Sequence, residues 1–466
     1  MQYEKKIEEI FARHPSVQVS GFSGRAYKAG IESMLAFDRQ LGQPWKSYRC
    51  IHVAGTNGKG SVSSMLAASL AASGLRVGLY TSPHLVDFRE RIKVVGLANS
   101  AAPGDVSLSS PDGLSCETPP FTSFTVPPLP CRGRQGLRER RCPPPDDSST
   151  FSWAVAPPTL ISREAVMEFL ERYESEIENL SFFEITTGMA FWWFEKQKVD
   201  VAVVEVGLGG RLDSTNVITP ELSVVTSIGL DHCAMLGGTR AEIAREKAGI
   251  FKSGVPAVVW GHDPETDGVF EDYAREVGAK LHYADEEVRP VRLDDMDLRG
   301  DYQDRNVRTA LAALKVLGIE PRTDAIRHTA SITGLRGRWE TLRERPTVIC
   351  DIGHNPPALA LNFRQLEDSG RPLIIVYGIM ADKALDDIAP LMPARARYIL
   401  CAPDSERSMK AGVLHARLSA LRPDLQLMQA GSVAAAVDEA LRLASPDTLV
   451  YIGGSTFVVA EAIKKG

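Results

Sequence analysis

The segment from Arg49 to Tyr80 constrains the fold more than any other, because it places a glycine-rich turn between an apolar run and a helix. In order it reads CIHVA, GTNGKGS, VSSMLAASLAASG and LRVGLY, which is the strand–loop–helix–strand pattern of a βαβ unit. Three further apolar runs follow: VDVAVVEV at 199–206, ELSVVTSI at 221–228 and VPAVVW at 255–260. Such continuous runs are typical of parallel strands covered on both faces. The sequence therefore predicts an α/β domain built on a parallel sheet.

A second α/β pattern begins near residue 338. There PTVICDIG, PLIIVYGI, ARYILCA and TLVYIGG alternate with helical segments, and the helical run NVRTALAALKVLGI precedes them. A single core stops growing near about 250 to 300 residues, and this chain has 466. We therefore expect two domains, residues 1–336 and 337–466.

Residues 97–158 differ in character from both patterns. They are dense in Pro, Ser, Gly and Arg and show neither helical nor strand periodicity, which predicts a disordered insertion in the first domain. Their arginine cluster between 132 and 141 is compatible with a binding patch or with a solvated loop.

Composition excludes several classes of protein. Lys plus Arg (53) against Asp plus Glu (59) gives a net charge of −6, which argues against a footprint that neutralises nucleic-acid phosphates. No apolar stretch reaches the roughly 18 residues of a membrane span, and MQYEKKIEEIFARHP lacks the apolar core of a secretory signal. The seven scattered cysteines contain no CxxC pair, which fits a reducing compartment. We expect a cytoplasmic protein with neither a nucleic-acid nor a membrane partner.

The glycine-rich turn has the chemistry of a phosphate-binding loop. Gly55, Gly58 and Gly60 let the backbone turn tightly and point its N–H groups at an anion, and the helix that follows adds its positive end. Lys59 supplies a charge for the β and γ phosphates. The loop is shorter than the common GxxxxGK[ST] form and carries Gly60 between Lys59 and Ser61. It predicts binding of a nucleoside triphosphate.

Polar residues end three further strands of the predicted sheet. Ser82 lies in TSPH, Glu205 in VVEVGLGG, and His232 directly after Asp231. Ligands of open parallel sheets sit at the carboxyl ends of the strands, so these side chains are expected to converge. Magnesium prefers oxygen ligands, so a structural role for His232 stays open. On composition alone, Lys247 in AEIAREKAGIF reads as a surface lysine.

Several long motifs in order identify a family resemblance. HVAGTNGKGS, YTSPHLVDFRERI, FFEITTGMAF, EVGLGGRLDSTN, TSIGLDH and EIAREKAGIFKSGVP, followed by GRWE, DIGHNPP, YGIMADK and GGSTF, resemble folylpolyglutamate synthase/dihydrofolate synthase, a branch of the Mur ligase family. The resemblance covers the chain except for 97–158. It implies a Mur-ligase-like P-loop ATPase domain with a parallel sheet and a smaller Rossmann-like C-terminal α/β domain, which holds the glutamate-ligase function.

The resemblance also implies roles for individual residues. Lys59, His232 and Lys247 would be catalytic, with Lys247 carried as a carbamate, and magnesium would bind Ser82, Glu205 and His232. ATP would lie on Gly55, Thr56, Asn57, Gly58, Lys59, Gly60 and Ser61, completed across a cleft by Asn306, Arg338 and Asp351. The pterin substrate would contact Tyr27, Lys28, Phe182, Phe183, Glu184, Leu212, Asp213 and Ser214. Two features depart from the family: Ile352-Gly353 inside DIGHNP, and the insertion after FRERI.

The implied activity is an ATP-dependent ligation of L-glutamate to dihydropteroate, to the γ-carboxylate of (tetrahydro)folate, or to both. It would pass through an acyl phosphate and yield ADP and phosphate, with ATP and Mg²⁺ as cofactors and a monomeric enzyme. Two alternatives stay open: a Mur-type ligase that extends a UDP-linked precursor, and a nucleotide-binding module whose insertion has abolished catalysis. The Gly58-Lys59-Gly60-Ser61 sequence resembles the phosphate loop of the folate branch. In Mur ligases of cell-wall synthesis the corresponding loop resembles Gly-Lys-Thr, so the sequence favours the folate branch.

Overall fold

The computed structural model describes residues 2–15, 30–96 and 156–465. The predicted insertion, apart from 156–158, lies outside the described residues, and so do Tyr27 and Lys28.

The first sheet has eight strands in the order β4-β3-β2-β5-β1-β6-β7-β8. All neighbours from β2 to β8 pair in parallel, and β3 and β4 add an antiparallel edge. The strands are β1 Arg49–Ala54, β2 Val77–Tyr80, β3 Ile92–Val95, β4 Thr159–Leu160, β5 Val201–Glu205, β6 Leu222–Val225, β7 Ala257–Val259 and β8 Leu281–Tyr283. The predicted parallel sheet is therefore present, and the five apolar runs form its centre as β2, β5, β1, β6 and β7.

The second sheet has six strands in the order β13-β12-β11-β14-β10-β9. It is parallel except for β9, which pairs antiparallel with β10. The strands are β9 Glu340–Arg343, β10 Thr347–Cys350, β11 Leu373–Tyr377, β12 Arg397–Leu400, β13 Gln426–Gln429 and β14 Leu449–Gly453. The predicted domain boundary at 336/337 falls between the last helix before this sheet and β9.

Helices cover both sheets. Before the second sheet they are α1 Gln2–Arg13, α2 Glu32–Gln40, α3 Lys59–Ala72, α4 Arg163–Arg172, α5 Phe182–Lys196, α6 Cys233–Leu236, α7 Arg240–Ala248, α8 Asp267–Val277, α9 Ala284–Glu287, α10 Gln303–Val316, α11 Thr323–Arg327 and α12 Thr329–Thr333. Those that follow are α13 Pro356–Asp368, α14 Leu385–Ile388, α15 Ala411–Leu421, α16 Val433–Leu443 and α17 Thr456–Lys465. None of these described helices is both long enough and apolar enough to cross a membrane.

Helix α3 shows why the phosphate loop is rigidly placed. Its residues from Gly60 to Ala71 are all buried, and a helix that is apolar or small all round packs inside a domain. Alternate residues of β5 point into two different cores: Val201 and Val203 pack in the core that contains α3 and α10, and Ala202 and Val204 in the core that contains α5. The centre of the sheet is thus covered on both faces.

Candidate active site

The turn between β1 and α3 requires glycine at two positions. Gly55 has a φ of +146°, and a Cβ there would lie 1.8 Å from Thr226 Oγ1. Gly58 has a φ of +91°, and a Cβ there would lie 2.3 Å from Asn306 Oδ1. Thr226 Oγ1 donates to the Asn57 carbonyl at 2.7 Å, so the loop is bonded to the end of the neighbouring β6. The turn is therefore built for close backbone approach rather than for a side chain.

Two lysines converge on this loop. Lys59 Nζ donates to the carbonyls of Gly55 at 3.0 Å and Thr56 at 3.3 Å. Lys247 Nζ donates to the same Gly55 carbonyl at 2.9 Å, and Lys247 is only 3% exposed. Burial, followed by the charge of Lys59, lowers the pKa of Lys247 to about 7. The expectation of a surface lysine was therefore wrong, because a contact 192 residues away along the chain buries this side chain.

A first cavity lies over the loop. It brings together all the predicted ATP-binding residues except Gly55, which lies at the base of the loop beneath the two lysines. Its lining includes Thr56, Asn57, Gly58, Lys59, Gly60, Ser61, Asn306, Arg338 and Asp351. Trp260 also lines the cavity, with the Arg305 guanidinium 4.9 Å from its ring centroid. This pair offers a flat surface away from the loop.

Two charged side chains from distant parts of the chain, Arg338 and Glu205, approach the loop at Gly60. A Cβ at this position would lie 3.3 Å from Arg338 Nη2 and 3.5 Å from Glu205 Oε2. The missing side chain therefore leaves room for a cation and a carboxylate beside the helix start.

Glu205 and Ser82 meet at the carboxyl ends of β5 and β2. The Ser82 N–H donates to Glu205 Oε2 at 3.1 Å, and Glu205 is buried. Burial raises the pKa of Glu205, opposed by the charge of Lys59 and by the Ser82 N–H. Because burial disfavours the charged form of this carboxyl group, a cation bound beside it would be stabilising, and Glu205 is suited to bind one.

His232 lies on the loop after β6, at the start of α6. It adopts a φ of +53° immediately before α6, and burial lowers its pKa to about 4, so its imidazole is neutral. Ser82 lines both the first cavity and a second one, whereas Glu205 lines only the first and His232 only the second. Among the described residues, no three His, Cys, Asp or Glu side chains form a cluster able to hold a metal.

Aromatic side chains form part of the lining of the second cavity. It is lined by Phe182, Phe183, Leu212, Asp213 and Ser214. Burial raises the pKa of Asp213, opposed by the hydroxyl and N–H of Thr215 and the N–H of Leu208. Five predicted substrate residues are therefore brought together.

Glu184 does not line this cavity. It accepts from the Ser181 N–H at 2.7 Å and from the Ser181 hydroxyl at 2.8 Å, closing a capping box at the start of α5. The spacing Ser-x-x-Glu before an apolar run is the sequence signal for this role. Tyr27 and Lys28 lie outside the described residues.

Basic side chains that follow strands of the second sheet also line the second cavity. It is lined by His354, Lys383 and Arg407, together with Ser455 and Thr456 at the start of α17. Of these, His354, Lys383 and the Ser-Thr pair lie inside the DIGHNPP, YGIMADK and GGSTF motifs. The sequence signal for these residues was their position after predicted strands, inside motifs of the family. The sequence analysis names these motifs but assigns no role to these four residues.

Asp351 has a positioning role at the rim of the first cavity. Its carboxylate accepts from Tyr302 Oη at 2.6 Å, from the Trp339 N–H at 2.8 Å, from the Gly353 N–H at 2.8 Å and from Asn362 Nδ2 at 2.7 Å. These four donors occupy both oxygens. Asp351 thus anchors the DIGHNP turn, and the Ile352-Gly353 departure is accommodated within it.

The loops after β6, β10 and β11 meet between the two sheets. Asn57 and Asn355 exchange reciprocal amide hydrogen bonds at 3.1 and 3.0 Å. Asp231 accepts from Lys383 Nζ at 2.6 Å and from Asn355 Nδ2 at 3.0 Å. Burial disfavours its charged form, but the hydrogen bond from His354 and the charge of Lys383 hold the pKa of Asp231 well below its ordinary value.

Comparison with known proteins gives one family match and several full-length relatives. Residues 337–456 match the Mur ligase, glutamate ligase domain. The chain is 32% identical over 451 residues to the dihydrofolate synthase/folylpolyglutamate synthase of Escherichia coli, covering 93% of this chain and 90% of that protein. It is also 32% identical to a probable bifunctional folylpolyglutamate synthase/dihydropteroate synthase of Haloferax volcanii, of which it spans 48% of the length.

Solved structures have the same fold. The Escherichia coli protein in complex with DHPP and ADP superposes with a TM-score of 0.74 at 27% identity, covering 99% of this chain and 97% of that one. A bifunctional folylpolyglutamate synthase/dihydrofolate synthase with Mn, AMPPNP and L-glutamate bound gives a TM-score of 0.70 at 27% identity, with 94% of each chain covered. These matches confirm the predicted Mur-ligase-like architecture.

Proposed function

The chain belongs to the folylpolyglutamate synthase/dihydrofolate synthase family of Mur ligases, and we propose that it joins L-glutamate both to dihydropteroate and to the γ-carboxylate of a reduced folate. It is an ATP-dependent amide ligase. The observation that carries the proposal is the meeting of the two cavities: Ser82, Pro83 and His354 line both. A nucleotide in the first cavity and a carboxylate in the second would face each other at that junction.

The nucleotide lies with its phosphates on Gly55–Ser61. The backbone N–H groups at the start of α3 and the Lys59 ammonium stabilise negative charge there. Arg338 approaches Gly60 from the residues that precede β9, so it adds a second cation beside the loop. The Trp260–Arg305 pair lies where a flat base would stack.

The reaction needs two displacements because a carboxylate is a poor electrophile. In the first, a carboxylate oxygen of the pteroyl substrate forms a bond to the γ-phosphorus of ATP, and the bond from that phosphorus to the β–γ bridging oxygen breaks to release ADP. In the second, the glutamate nitrogen attacks the acyl carbon, phosphate leaves with the former carboxylate oxygen, and the nitrogen loses a proton. Lys59 and the loop N–H groups stabilise charge on the transferred group.

The lining of the second cavity contains groups that suit each of the two substrates. Phe182 and Phe183 provide aromatic surface and Asp213 a buried carboxyl, which suits a flat heterocycle that carries N–H groups. Lys383 and Arg407 lie within the region that matches the glutamate ligase domain and suit the carboxylates of glutamate.

The enzyme uses Mg²⁺ with ATP, and the donor set fits this ion. The Ser82 hydroxyl and the Glu205 carboxylate are oxygen ligands of the kind that magnesium prefers, and they adjoin each other at the edge of the first cavity. His232, the third residue expected here, lines only the second cavity. When bound, the ion would neutralise phosphate charge.

Lys247 is proposed to carry a carbamate. Carbamate formation requires a neutral amine, and burial already lowers the pKa of Lys247 to about 7. The alternative of an ion pair with Glu246 is not supported, because Glu246 pairs with Arg211 at 2.9 Å. A monomeric state and a cytoplasmic location remain predictions from the sequence.

A substrate panel tests the function. Purified protein with ATP, Mg²⁺ and glutamate is given dihydropteroate, tetrahydrofolate or a UDP-muramoyl precursor, and ADP release is followed. We expect release with each of the first two. Release with the muramoyl precursor alone would identify the Mur-type alternative, and release with none would identify a nucleotide-binding module without ligase activity.

A further inference from the structure

The Asp231 carboxylate lies where the loops of the two sheets meet, and it lines neither of the two cavities. It sits on the loop after β6, six residues beyond Val225. It is 10% exposed, and the Lys383 side chain that pairs with it is 13% exposed. Charged side chains this well buried require specific partners.

Each oxygen of Asp231 has assigned partners. Oδ1 accepts from Lys383 Nζ at 2.6 Å and from the His232 N–H at 2.9 Å. Oδ2 accepts from Asn355 Nδ2 at 3.0 Å and lies 3.4 Å from His354 Nε2, with His232 Nε2 at 3.8 Å. His354 and Asn355 follow β10 and Lys383 follows β11. The Asp231 carboxylate, on the loop after β6, therefore contacts two loops of the second sheet.

These partners lead directly to the reacting groups. Lys383 and His354 line the second cavity, and His354 also lines the first. Asn355 bonds Asn57 of the phosphate loop in both directions. A shift of Asp231 would therefore move the groups proposed to receive glutamate relative to the phosphate loop.

We propose that Asp231 is a positioning residue that holds Lys383, His354 and Asn355 in the arrangement that receives the amino-acid substrate. It acts through these side chains and does not touch the substrate. The expected change in KM rests on the proposed function. The expected loosening of the loops rests only on the contacts of Asp231.

Asp231→Asn is the most direct variant, because asparagine keeps the size of the side chain but loses its charge. The asparagine amide would oppose either the Asn355 amide or the Lys383 ammonium, both of which are donors. We expect the KM for glutamate to rise by about tenfold or more, as befits loss of one partner of a buried ion pair. The KM values for ATP and for dihydropteroate should change by less than about twofold, because the phosphate loop and the aromatic residues Phe182 and Phe183 keep their own contacts.

A matched control is Asp438→Asn, which removes a carboxylate from the pair with Lys465 on the outer helices of the second sheet. All three KM values should stay at their wild-type levels. Equal increases in all three KM values for Asp231→Asn, or an unchanged KM for glutamate, would overturn the proposal.

Hydrogen–deuterium exchange tests the same inference without turnover. Peptides that span 352–357 and 379–385 should exchange faster in Asp231→Asn than in wild type, whereas peptides across 426–443 should not change. Identical exchange in the first two peptides would contradict the inference even if the wild-type protein ligated no glutamate. A wild-type protein inactive with every substrate would count against the proposed function alone.

Discussion

Two lysines that are distant in sequence donate to one carbonyl, that of Gly55. Lys247 is withdrawn from water and lies close to the Lys59 ammonium, and burial followed by the charge of Lys59 lowers the pKa of Lys247 to about 7. Lys247 therefore becomes a neutral amine near physiological pH.

Lys59→Ala should lower kcat by roughly 10² to 10³, the usual cost of removing one donor aimed at developing charge. ADP release under saturating substrates measures the effect. Lys46→Ala is the control, because Lys46 is exposed and its ammonium contacts the neighbouring Gln43 and the Trp45 ring rather than the loop. Turnover of Lys59→Ala near the wild-type rate would refute the assignment of the loop.

Lys247→Ala and Lys247→Arg separate a carbamate from a plain cation. We expect both variants to lose ligase activity while ATP binding, measured by calorimetry, remains, since Lys59 and the loop N–H groups are untouched. Bicarbonate should stimulate the CO₂-depleted wild-type protein and neither variant. A fully active arginine variant would remove the carbamate from the mechanism.

The lowered pKa of Lys247 also predicts how stability depends on pH. Between about pH 7, the folded value, and 10.5, the ordinary value, the unfolded chain binds a proton that the folded chain does not. Stability contributed by this group therefore increases with pH across that window. In CO₂-free buffer the unfolding temperature of wild type, relative to Lys247→Met, should rise from pH 7 to pH 10; a constant difference would mean that Lys247 is not buried as described.

At the scale of elements, the local signals predicted more than the long-range ones. The glycine turn and the strand ends at Ser82 and Glu205 were predicted because each depends on a few adjacent residues. Burial of Lys247 and the contacts of Asp231 could not be predicted, since each depends on loops more than 100 residues apart. Glu184 shows a different limit: the family resemblance suggested a substrate contact, although its local spacing already indicated a helix cap.

The hairpin of β3 and β4 predicts what happens when the insertion is removed. Val94 pairs antiparallel with Thr159, so deletion of 97–155 leaves residues 95, 96 and 156–158 between paired positions. A connection of this length is common in hairpins, and shortening a long loop costs little or favours folding. We expect the deletion variant to unfold cooperatively, with an unfolding temperature within a few degrees of wild type, because the entropy of loop closure depends only logarithmically on loop length.

Loss of a cooperative transition in that variant would show that residues 97–155 contribute to the core. Retained folding with lost turnover of dihydropteroate would instead assign the segment to substrate access.

At the scale of the whole molecule, the carboxyl ends of strands from both sheets face a common space. β1, β2, β5 and β6 bring the phosphate loop, Ser82, Glu205 and Asp231, and β10 and β11 bring His354, Asn355 and Lys383. Parallel sheets place their ligands at this edge, and two such edges opposed can hold a nucleotide and an acceptor together. We propose that the division at 336/337 separates the parts that activate the carboxylate from those that receive glutamate.

Transfer of oxygen from the substrate carboxylate to phosphate tests this account most directly. Dihydropteroate labelled with ¹⁸O in its carboxylate is incubated with the protein, ATP, Mg²⁺ and glutamate, and the released phosphate is examined by mass spectrometry. An acyl phosphate requires that phosphate leave with one oxygen from the carboxylate, so we predict one ¹⁸O atom in each phosphate formed, in step with formation of the glutamyl product. Formation of the glutamyl product together with phosphate that carries no ¹⁸O would contradict the central claim.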